Sequence, residues 1–474
     1  MLFSSITFVF YFLPIFLVFY YVCGIRNSVL LTGSAIFYVW GEGAYVFLLL
    51  ALLAINQPIA LMMQSLAARR RLTILVISIV INIAVLGFFK YSQFALDIMS
   101  SITGEKNIRL DLHLPLGISF FVFQLVSYQI EVYRSNIPAE RSFVRIATYI
   151  MMFPHLVAGP IVRFGDIKDE LHERTIDSDK LTVGVQYFIV GLCQKVLIAN
   201  SIAPLADHAF DLPVAGLITS TAWLGIIAYT LQIYFDFCGY SNMAIGLAFL
   251  LGFHFPRNFN YPYSAKSVSE FWRRWHISLS SWFRDYLYIP LGGSRLGKAK
   301  TVRNLLIVFF ATGLWHGAAW NFVFWGLLHG FFVVLENLFL GDILKRGPQW
   351  IARLYTLLIV MFAWVFFRAD TFGHACFYLQ TLMGFGHGQA QLPISALINP
   401  EVVVALLVGA ILSFPVLPRL FQRFKLKESS LNGNTSVPDE RIYFIPSGSL
   451  VLGFVMCTWL LASGTLNPFL YFRF

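Results

Sequence analysis

Charged side chains are scarce in this sequence of 474 residues, of which 12% are Asp, Glu, Lys or Arg and 58% are hydrophobic. A soluble protein carries roughly 25% charged residues, so this chain has too few to cover a soluble globular surface. The net charge of +10 comes from loops rather than from one basic face, which argues against a nucleic-acid partner. We therefore predict an integral membrane protein, folded as one polytopic domain over residues 1–474.

Motifs for metal binding and redox chemistry are also missing. The five cysteines are scattered singly in or beside apolar segments, without a CxxC pair or a disulfide framework. The chain has no HExxH motif and no His/Cys cluster with metal-ligand spacing, so we expect no metal site and no tightly bound cofactor. A near match to the phosphate-binding loop has Ala299 where that loop needs Ser or Thr.

Apolar runs that approach the length of a membrane span recur along the chain. A span needs roughly 20 mostly apolar residues. The first run lacks a small-residue cleavage site, so we predict a membrane helix there rather than a signal peptide. Several later runs are short and flanked by Gly or Pro, which is typical of re-entrant or broken helices. We predict about a dozen helices, within residues 6–22, 28–40, 44–63, 72–89, 114–130, 147–161, 183–198, 217–235, 242–253, 305–315, 322–340, 354–367, 402–414 and 449–461.

Basic residues are concentrated in residues 257–303, where Glu270 and Asp285 are the only acidic residues. Lys and Arg in short loops mark the cytoplasmic side of a membrane protein, so we place this stretch at the cytoplasmic face. Residues 69–71, all arginine, indicate a second cytoplasmic loop. Residues 419–441 begin basic and then turn polar, which favours a flexible surface loop. The basic residues of the main stretch are Arg257, Lys266, Arg273, Arg274, Arg284, Arg295, Lys298, Lys300 and Arg303.

His316 lies in the middle of residues 305–330, a run without a single charged side chain. A polar group there is costly unless it is hydrogen-bonded or faces a wet cavity. Flanking glycines permit close backbone approach, and Asn321 is suited to hold an imidazole in one tautomer. His316 is therefore a candidate general base for a hydroxyl nucleophile. The alternative is a structural histidine, which is our interpretation of His329.

Residues 267–290 are dense in charge and indole rings. Placed on a helix, they give an aromatic stripe and a second stripe with Arg273, His276, Ser280 and Arg284, so we predict one amphipathic helix. Two interpretations stay open. The helix is either anchored at the lipid headgroups by Trp and Arg, or it lines an acyl-donor site with His276 and with arginines that suit the phosphates of coenzyme A.

Other polar side chains lie in apolar surroundings, where they are expensive in lipid and should contact one another or a cavity. We expect helix-to-helix polar contacts and a hydrated interior from these residues. They are Gln124, Gln129, Glu131, His155, Gln232 and Asp236.

Five segments together resemble the membrane-bound O-acyltransferases, specifically the bacterial branch of the alginate O-acetylation protein. The two ends of the chain, residues 1–5 and 468–474, match as well. Cys238 and Asn242 depart from the pattern, because related chains commonly carry Ser and Asp there. The five segments are residues 114–120 (LPLGISF), 153–163 (FPHLVAGPIVR), 232–246 (QIYFDFCGYSNMAIG), 270–280 (EFWRRWHISLS) and 313–317 (GLWHG).

This resemblance implies an all-α, multi-pass protein of the bacterial inner membrane, with tilted and re-entrant helices around a central funnel. It implies that His316 is catalytic and that His276 is its functional partner on the cytoplasmic side. The implied donor is acetyl-CoA, and the implied partner is a periplasmic esterase-like protein that acetylates an exported polysaccharide. We assign donor binding to Arg257, Lys266, Arg273, Arg274, Trp315 and Asn321.

Alternatives to alginate as the acceptor are cellulose, another exopolysaccharide and peptidoglycan. A D-alanyl transfer system for teichoic acid uses a relative of this fold, and the close motif match disfavours it. Outside the enzymes, the chain is a candidate for a transporter of acetyl-bearing material or for a scaffold without chemistry. The pair His276 and His316 distinguishes these classes, because a transporter or scaffold tolerates its loss.

Overall fold

The computed structural model describes residues 2–104, 109–213, 216–386, 388, 398–423, 428–429, 442–443 and 445–464. The predicted loop at 419–441 lies largely outside these residues, and the C-terminal motif at 468–474 lies entirely outside them. The described secondary structure is helical except for two antiparallel two-residue strands, β1 (Glu428–Ser429) and β2 (Ile442–Tyr443). The predicted all-α class is therefore confirmed.

The described residues form α-helices of very different lengths, and π-helical segments continue several of them. The α-helices are α1 (Leu13–Val22), α2 (Arg26–Glu42), α3 (Tyr45–Ser65), α4 (Ala68–Thr103), α5 (Ile118–Tyr133), α6 (Phe143–Met151), α7 (Phe153–Leu156), α8 (Phe164–His172), α9 (Ser178–Cys193), α10 (Ser201–Asp211), α11 (Thr219–Leu250), α12 (Val268–Trp272), α13 (Ile277–Phe283), α14 (Lys298–His316), α15 (Trp320–Leu335), α16 (Gly341–Arg346), α17 (Gln349–Arg368), α18 (Phe372–Leu382), α19 (Pro400–Leu412), α20 (Val416–Arg423) and α21 (Ser447–Ala462). The π-helical segments are Thr7–Phe12, Gln194–Asn200, Arg284–Tyr288 and Glu336–Leu340, and Pro262–Ser264 is a 3₁₀ turn.

Among the described residues, six helical stretches are long and apolar enough to cross a membrane. This agrees with the scarcity of charge and makes the protein polytopic. Shorter apolar helices accompany them, at Thr7–Val22, Pro400–Leu412 and Ser447–Ala462. The six stretches are Tyr45–Ser65, Ala68–Thr103, Ser178–Asp211, Thr219–Leu250, Trp320–Arg346 and Gln349–Arg368.

Two sequence-based helix predictions need correction. The predicted segments 217–235 and 242–253 are one continuous helix, α11. Its most apolar window is 94% buried within the protein, so the polar residues between the two predicted segments face protein rather than lipid. The predicted helix at 147–161 instead ends at Met151, and only the short helix α7 follows before the non-helical residues 157–163. Pro154 and Pro160 account for this break, since proline cannot donate a helix hydrogen bond.

The chain divides into two compact units, residues 1–184 with 244–255, and residues 185–243 with 256–474. The single domain and the central funnel stay predictions. In the first unit, Asn56 Oδ1 accepts hydrogen bonds from Ser78 Oγ at 3.0 Å, Asn82 Nδ2 at 2.8 Å and Gln129 Nε2 at 3.1 Å. The expectation that Gln129 makes a helix-to-helix polar contact is confirmed. In the second unit, Asp236 forms a buried ion pair with Lys195.

Candidate active site

A tightly packed hairpin of α14 and α15 carries His316, which is the last residue of α14. Glycines allow the two helices to approach this closely. A Cβ atom on Gly326 would lie 2.3 Å from the Phe309 carbonyl oxygen and 2.9 Å from the Gly313 Cα, and one on Gly313 would lie 2.5 Å from the Phe322 carbonyl oxygen. Small residues at such positions are the usual device of close helix packing in membranes.

Aromatic rings surround the His316 imidazole, which is only 4% exposed. The ring centroids of Trp325, Trp315 and Phe367 lie 4.8, 4.9 and 5.3 Å from that of His316, all nearly edge to face. On its other side Trp325 contacts His329 at 5.2 Å. His316 therefore lies among aromatic rings in a place that is almost closed to water.

The predicted single helix over 267–290 is wrong. The chain forms α12, a turn, α13 and then the π-helical segment Arg284–Tyr288. His276 lies at the break with φ 43° and ψ 56°, a left-handed conformation that a non-glycine residue seldom adopts. The amphipathic spacing fits a helix, but tertiary contacts on both sides of the break override it.

The aromatic stripe of this segment belongs to the protein core. All of its members are at most 8% exposed, so they do not reach a lipid headgroup. The interpretation of a membrane-anchoring helix is therefore wrong for the indole rings. The stripe consists of Phe271, Trp275, Leu279, Trp282 and Tyr286.

Asn258 holds the buried His276 ring. Its side-chain Oδ1 lies 3.2 Å from Nδ1 of His276 and accepts from Ser278 Oγ at 2.9 Å. Phe237 meets the imidazole edge to face at a centroid distance of 4.7 Å. Burial lowers the pKa of His276 to about 3, so this imidazole is neutral at physiological pH.

The structure brings the two predicted histidines to one indole ring. The Trp315 ring centroid lies 4.9 Å from that of His316 and 6.2 Å from that of His276. Trp315 itself is 3% exposed. Two buried histidines that approach one indole ring are an arrangement suited to proton transfer and to orienting a hydroxyl reactant.

The predicted donor-binding cations differ in their surroundings. Arg274 forms an ion pair with Glu270, with Nη2 2.7 Å from Oε1. Partial burial raises the pKa of Glu270, but the Lys266 backbone N–H and the Arg274 guanidinium outweigh it and hold that pKa below its usual value. Arg257 donates from Nε to the Phe259 carbonyl oxygen at 2.6 Å and is exposed.

Arg273 is exposed, and Lys266 is half-buried. Asn321 donates from Nδ2 to the carbonyl oxygens of Ala369 at 2.8 Å and Phe366 at 3.3 Å, at the end of α17. Its amide therefore fixes the start of α15 against α17. Donor binding by these residues stays a prediction.

Glu336 and Asn258 are functional candidates that sequence reasoning missed. The buried Glu336 carboxylate accepts hydrogen bonds from the backbone N–H groups of Val268 and Ser269 at 2.6 and 2.9 Å, from Ser269 Oγ at 2.6 Å and from Tyr355 at 3.2 Å. It thereby fixes the start of α12. A lone acid in the apolar run 322–340 could have been found by the argument that singled out His316, whereas nothing in the sequence marks Asn258.

The fold and the site define a class of protein, a polytopic membrane enzyme with a buried histidine pair. The profile described as the membrane-bound O-acyltransferase family matches residues 16–369, and the chain belongs to this family of O-acyltransferases.

Similar proteins include a probable alginate O-acetylase of Pseudomonas putida, 38% identical over the full length of both chains. A protein of the same description from Azotobacter vinelandii is 44% identical over 81% of this chain and 79% of its own length. A peptidoglycan O-acetyltransferase of Helicobacter pylori is 34% identical over 81% of this chain and 80% of its own length.

Proposed function

We propose that this O-acyltransferase takes acetyl groups from a cytoplasmic donor, acetyl-CoA, and passes them across the bacterial inner membrane for O-acetylation of an exported polysaccharide. The observation that carries the proposal is the pair of buried histidines in contact with Trp315. A transporter or a scaffold has no need of two buried imidazoles that approach one indole ring. The membership in an acyltransferase family supports the same conclusion.

Alginate is the polysaccharide that the relatives favour. Proteins described as probable alginate O-acetylases match over the full length of this chain at 36% and 38% identity. Peptidoglycan is the second candidate, because the peptidoglycan O-acetyltransferase is 34% identical over four fifths of both chains. Acetate content of each polymer after deletion of the gene decides between the two.

In the proposed reaction His316 is the general base. It removes the proton of an acceptor hydroxyl, whose oxygen attacks the carbonyl carbon of the acetyl thioester. The carbon–sulfur bond breaks, and the coenzyme A thiolate leaves and takes up the proton that His316 accepted. His276 orients a reactant or relays the proton. An acetyl-histidine intermediate is the alternative route to the same products, with His316 as the nucleophile.

Donor binding is proposed at the basic stretch on the cytoplasmic side. Arg273 and Arg257 have exposed guanidinium groups and are the stronger phosphate ligands in this set. Arg274 is already neutralised by Glu270, so its contribution to an anion site is smaller. Lys266 adds positive charge, Trp315 contacts the rings of both histidines, and Asn321 stays in the proposed set although its amide donates to two carbonyl oxygens. A periplasmic esterase-like partner then transfers the acetyl group to the polymer.

Replacing His316 with Ala tests the proposal. We expect acetylation of the polymer to be abolished, because the proposed general base is lost, while the protein still inserts into the membrane, because its apolar spans are unchanged. The measurements are polymer acetate content and membrane-fraction protein level in cells that lack the native gene. The control is His113→Ala, whose side chain is 61% exposed. Near-normal acetylation by His316→Ala would contradict the catalytic role and favour a transporter or scaffold.

A further inference from the structure

The two ring nitrogens of His276 have different surroundings. Nδ1 lies 3.2 Å from Oδ1 of Asn258 and 3.5 Å from the Ser278 hydroxyl, whose own proton is directed at that same Oδ1 at 2.9 Å. Nε2 is buried and has no hydrogen-bond partner within the part of the chain that the structure describes. A neutral imidazole carries its proton on one nitrogen and a lone pair on the other, and the partner of one nitrogen decides the state of both.

The atom of Asn258 that faces His276 is identified by its other contacts. Oxygen and nitrogen of an amide side chain are assigned from their hydrogen bonds. The backbone N–H of Ser278 points at this same atom from 3.2 Å, and a backbone N–H can only donate. The other end of the amide, Nδ2, donates to Ser241 Oγ at 2.8 Å. The atom facing Nδ1 is therefore the amide oxygen, which can only accept.

It follows that Nδ1 of His276 is the protonated nitrogen. An acceptor at Nδ1 requires a donor there, so the proton lies on Nδ1 and the lone pair on Nε2. The neutral state needed for this argument is supported by the complete burial of the ring. An Nε2 lone pair accepts hydrogen bonds and cannot donate one.

The local backbone is held in place to make this contact. The Ile277 N–H donates to the Asn258 carbonyl oxygen at 2.9 Å, and the Asn260 N–H donates to the Arg274 carbonyl oxygen at 2.9 Å. These two bonds lie on either side of His276, whose φ is 43°. A left-handed conformation in a non-glycine residue persists only where the surroundings enforce it, and such residues cluster at functional sites.

We propose that Asn258 is a positioning residue that holds His276 in the Nδ1–H tautomer, so that Nε2 accepts a hydrogen bond from the hydroxyl-bearing acceptor. This inference rests on the proposed acyl transfer and assigns His276 to the acceptor rather than to the thioester. A carbonyl oxygen that gains negative charge needs a donor, which Nε2 in this tautomer cannot be. His276 therefore orients the acceptor through a donor group other than the hydroxyl whose proton His316 removes.

The tautomer of His276 can be measured without an activity assay. Full-length protein labelled with ¹⁵N-histidine gives distinct nitrogen chemical shifts for protonated and bare ring nitrogens, and His276→Gln identifies the signals of His276. We expect Nδ1 protonated and Nε2 bare in the unmodified protein and in Asn258→Asp, which keeps an acceptor. Asn258→Leu removes the acceptor and should mix the tautomers. A protonated Nε2 in the unmodified protein would overturn the proposal, even if the variants fail to fold.

Kinetics with acetyl-CoA as the donor give the second readout. We expect Asn258→Leu to lower kcat about 10- to 100-fold, by analogy with the loss seen when the partner that orients a metal-ligating histidine is removed. The KM for acetyl-CoA should stay unchanged, and Asn258→Asp should recover part of kcat. The matched control is Ser281→Ala, because among the residues that the structure describes its hydroxyl bonds just the Ser278 carbonyl of its own helix, at 2.9 Å.

An unchanged kcat in Asn258→Leu would overturn the positioning role. Full activity in His316→Ala would instead defeat the proposed function, and the nitrogen shifts of His276 would still report its tautomer. The two failures are therefore distinguishable.

Discussion

The two histidines of the site are supported by regions of opposite character. His316 ends a regular helix in the α14–α15 hairpin, where glycines and aromatic rings fill the space. His276 lies in a break between two short helices, where polar side chains and backbone groups hold a left-handed residue. The first support is apolar and depends on close packing, whereas the second depends on individual hydrogen bonds.

This difference has a physical consequence for each region. Packing in the hairpin is collective, so an added carbon atom disturbs two helices at once. The break around His276 is fixed by a few polar contacts, so a change there acts on ring orientation more than on the fold. Substitutions in the hairpin should therefore lower the free energy of unfolding more, and substitutions in the break should lower kcat more.

The largest effect is expected from Gly326→Val in the hairpin. Its Cβ would approach the Phe309 carbonyl oxygen to 2.3 Å, and backbone cannot move aside as a side chain does. We expect a loss of about 3 kcal/mol in the free energy of unfolding, the upper end of overpacking effects. Unfolding in a denaturing detergent titration measures it. Gly373→Ala is the control, because no atom lies within 4 Å of its added Cβ; equal losses in both would refute the close-packing argument.

Glu336→Gln, which acts on α12 beside the break at His276, should cause the next largest loss in the free energy of unfolding. The carboxylate accepts from two backbone N–H groups of α12 and from two hydroxyls. Hydrogen bonds to a charged group contribute about 1.5–3 kcal/mol, so we expect a loss of about 2 kcal/mol and a lower kcat. The same unfolding titration measures the loss in stability, and an acetyl transfer assay measures kcat. Asp342→Asn, which breaks an exposed ion pair with Lys345, should change neither.

The hairpin could be predicted from the sequence, and the break could not. Apolar runs at 305–315 and 322–340 are strong signals, and the uncharged surroundings of His316 mark it as unusual. Glycine between them predicts close approach. The hydrophobic effect acts on every apolar residue of such a run, so the run predicts a buried or membrane-spanning helix whatever its individual tertiary contacts are.

The break at His276 has no comparable signal. Residues 267–290 have helical spacing, but Asn258 contacts His276 and Glu336 fixes the start of α12, and both of these residues lie elsewhere in the sequence. Long-range polar contacts also explain why two predicted segments form the single helix α11. Polar residues such as Asp236 are paired inside the protein, so they do not interrupt the helix. Long-range polar contacts decide these features, and periodicity within one segment does not report them.

A comparison of His276→Val with His276→Asn isolates the backbone cost of the break. Both remove the imidazole, but Asn tolerates the left-handed conformation and a β-branched residue does not. We expect His276→Val to be less stable than His276→Asn by about 1 kcal/mol. His316→Val and His316→Asn are the matched pair in the hairpin, where the backbone is helical. Unfolding titrations give the stability difference between the Val and Asn variants at each position. If that difference is the same at His276 and at His316, the backbone strain at His276 does not contribute to stability.

The smallest effect is expected from Glu270→Gln, which breaks the ion pair with Arg274 at the edge of the break. Half-exposed pairs of this kind contribute about 0.5 kcal/mol. Because the folded protein holds the pKa of Glu270 below its unfolded value, the contribution is complete above the unfolded pKa and is lost as pH falls through the folded one. The unmodified protein should therefore exceed Glu270→Gln in stability at pH 7 and match it in strong acid, as unfolding titrations at several pH values would show. A difference that persists in strong acid would mean that Glu270 stabilises the segment through something other than its charge.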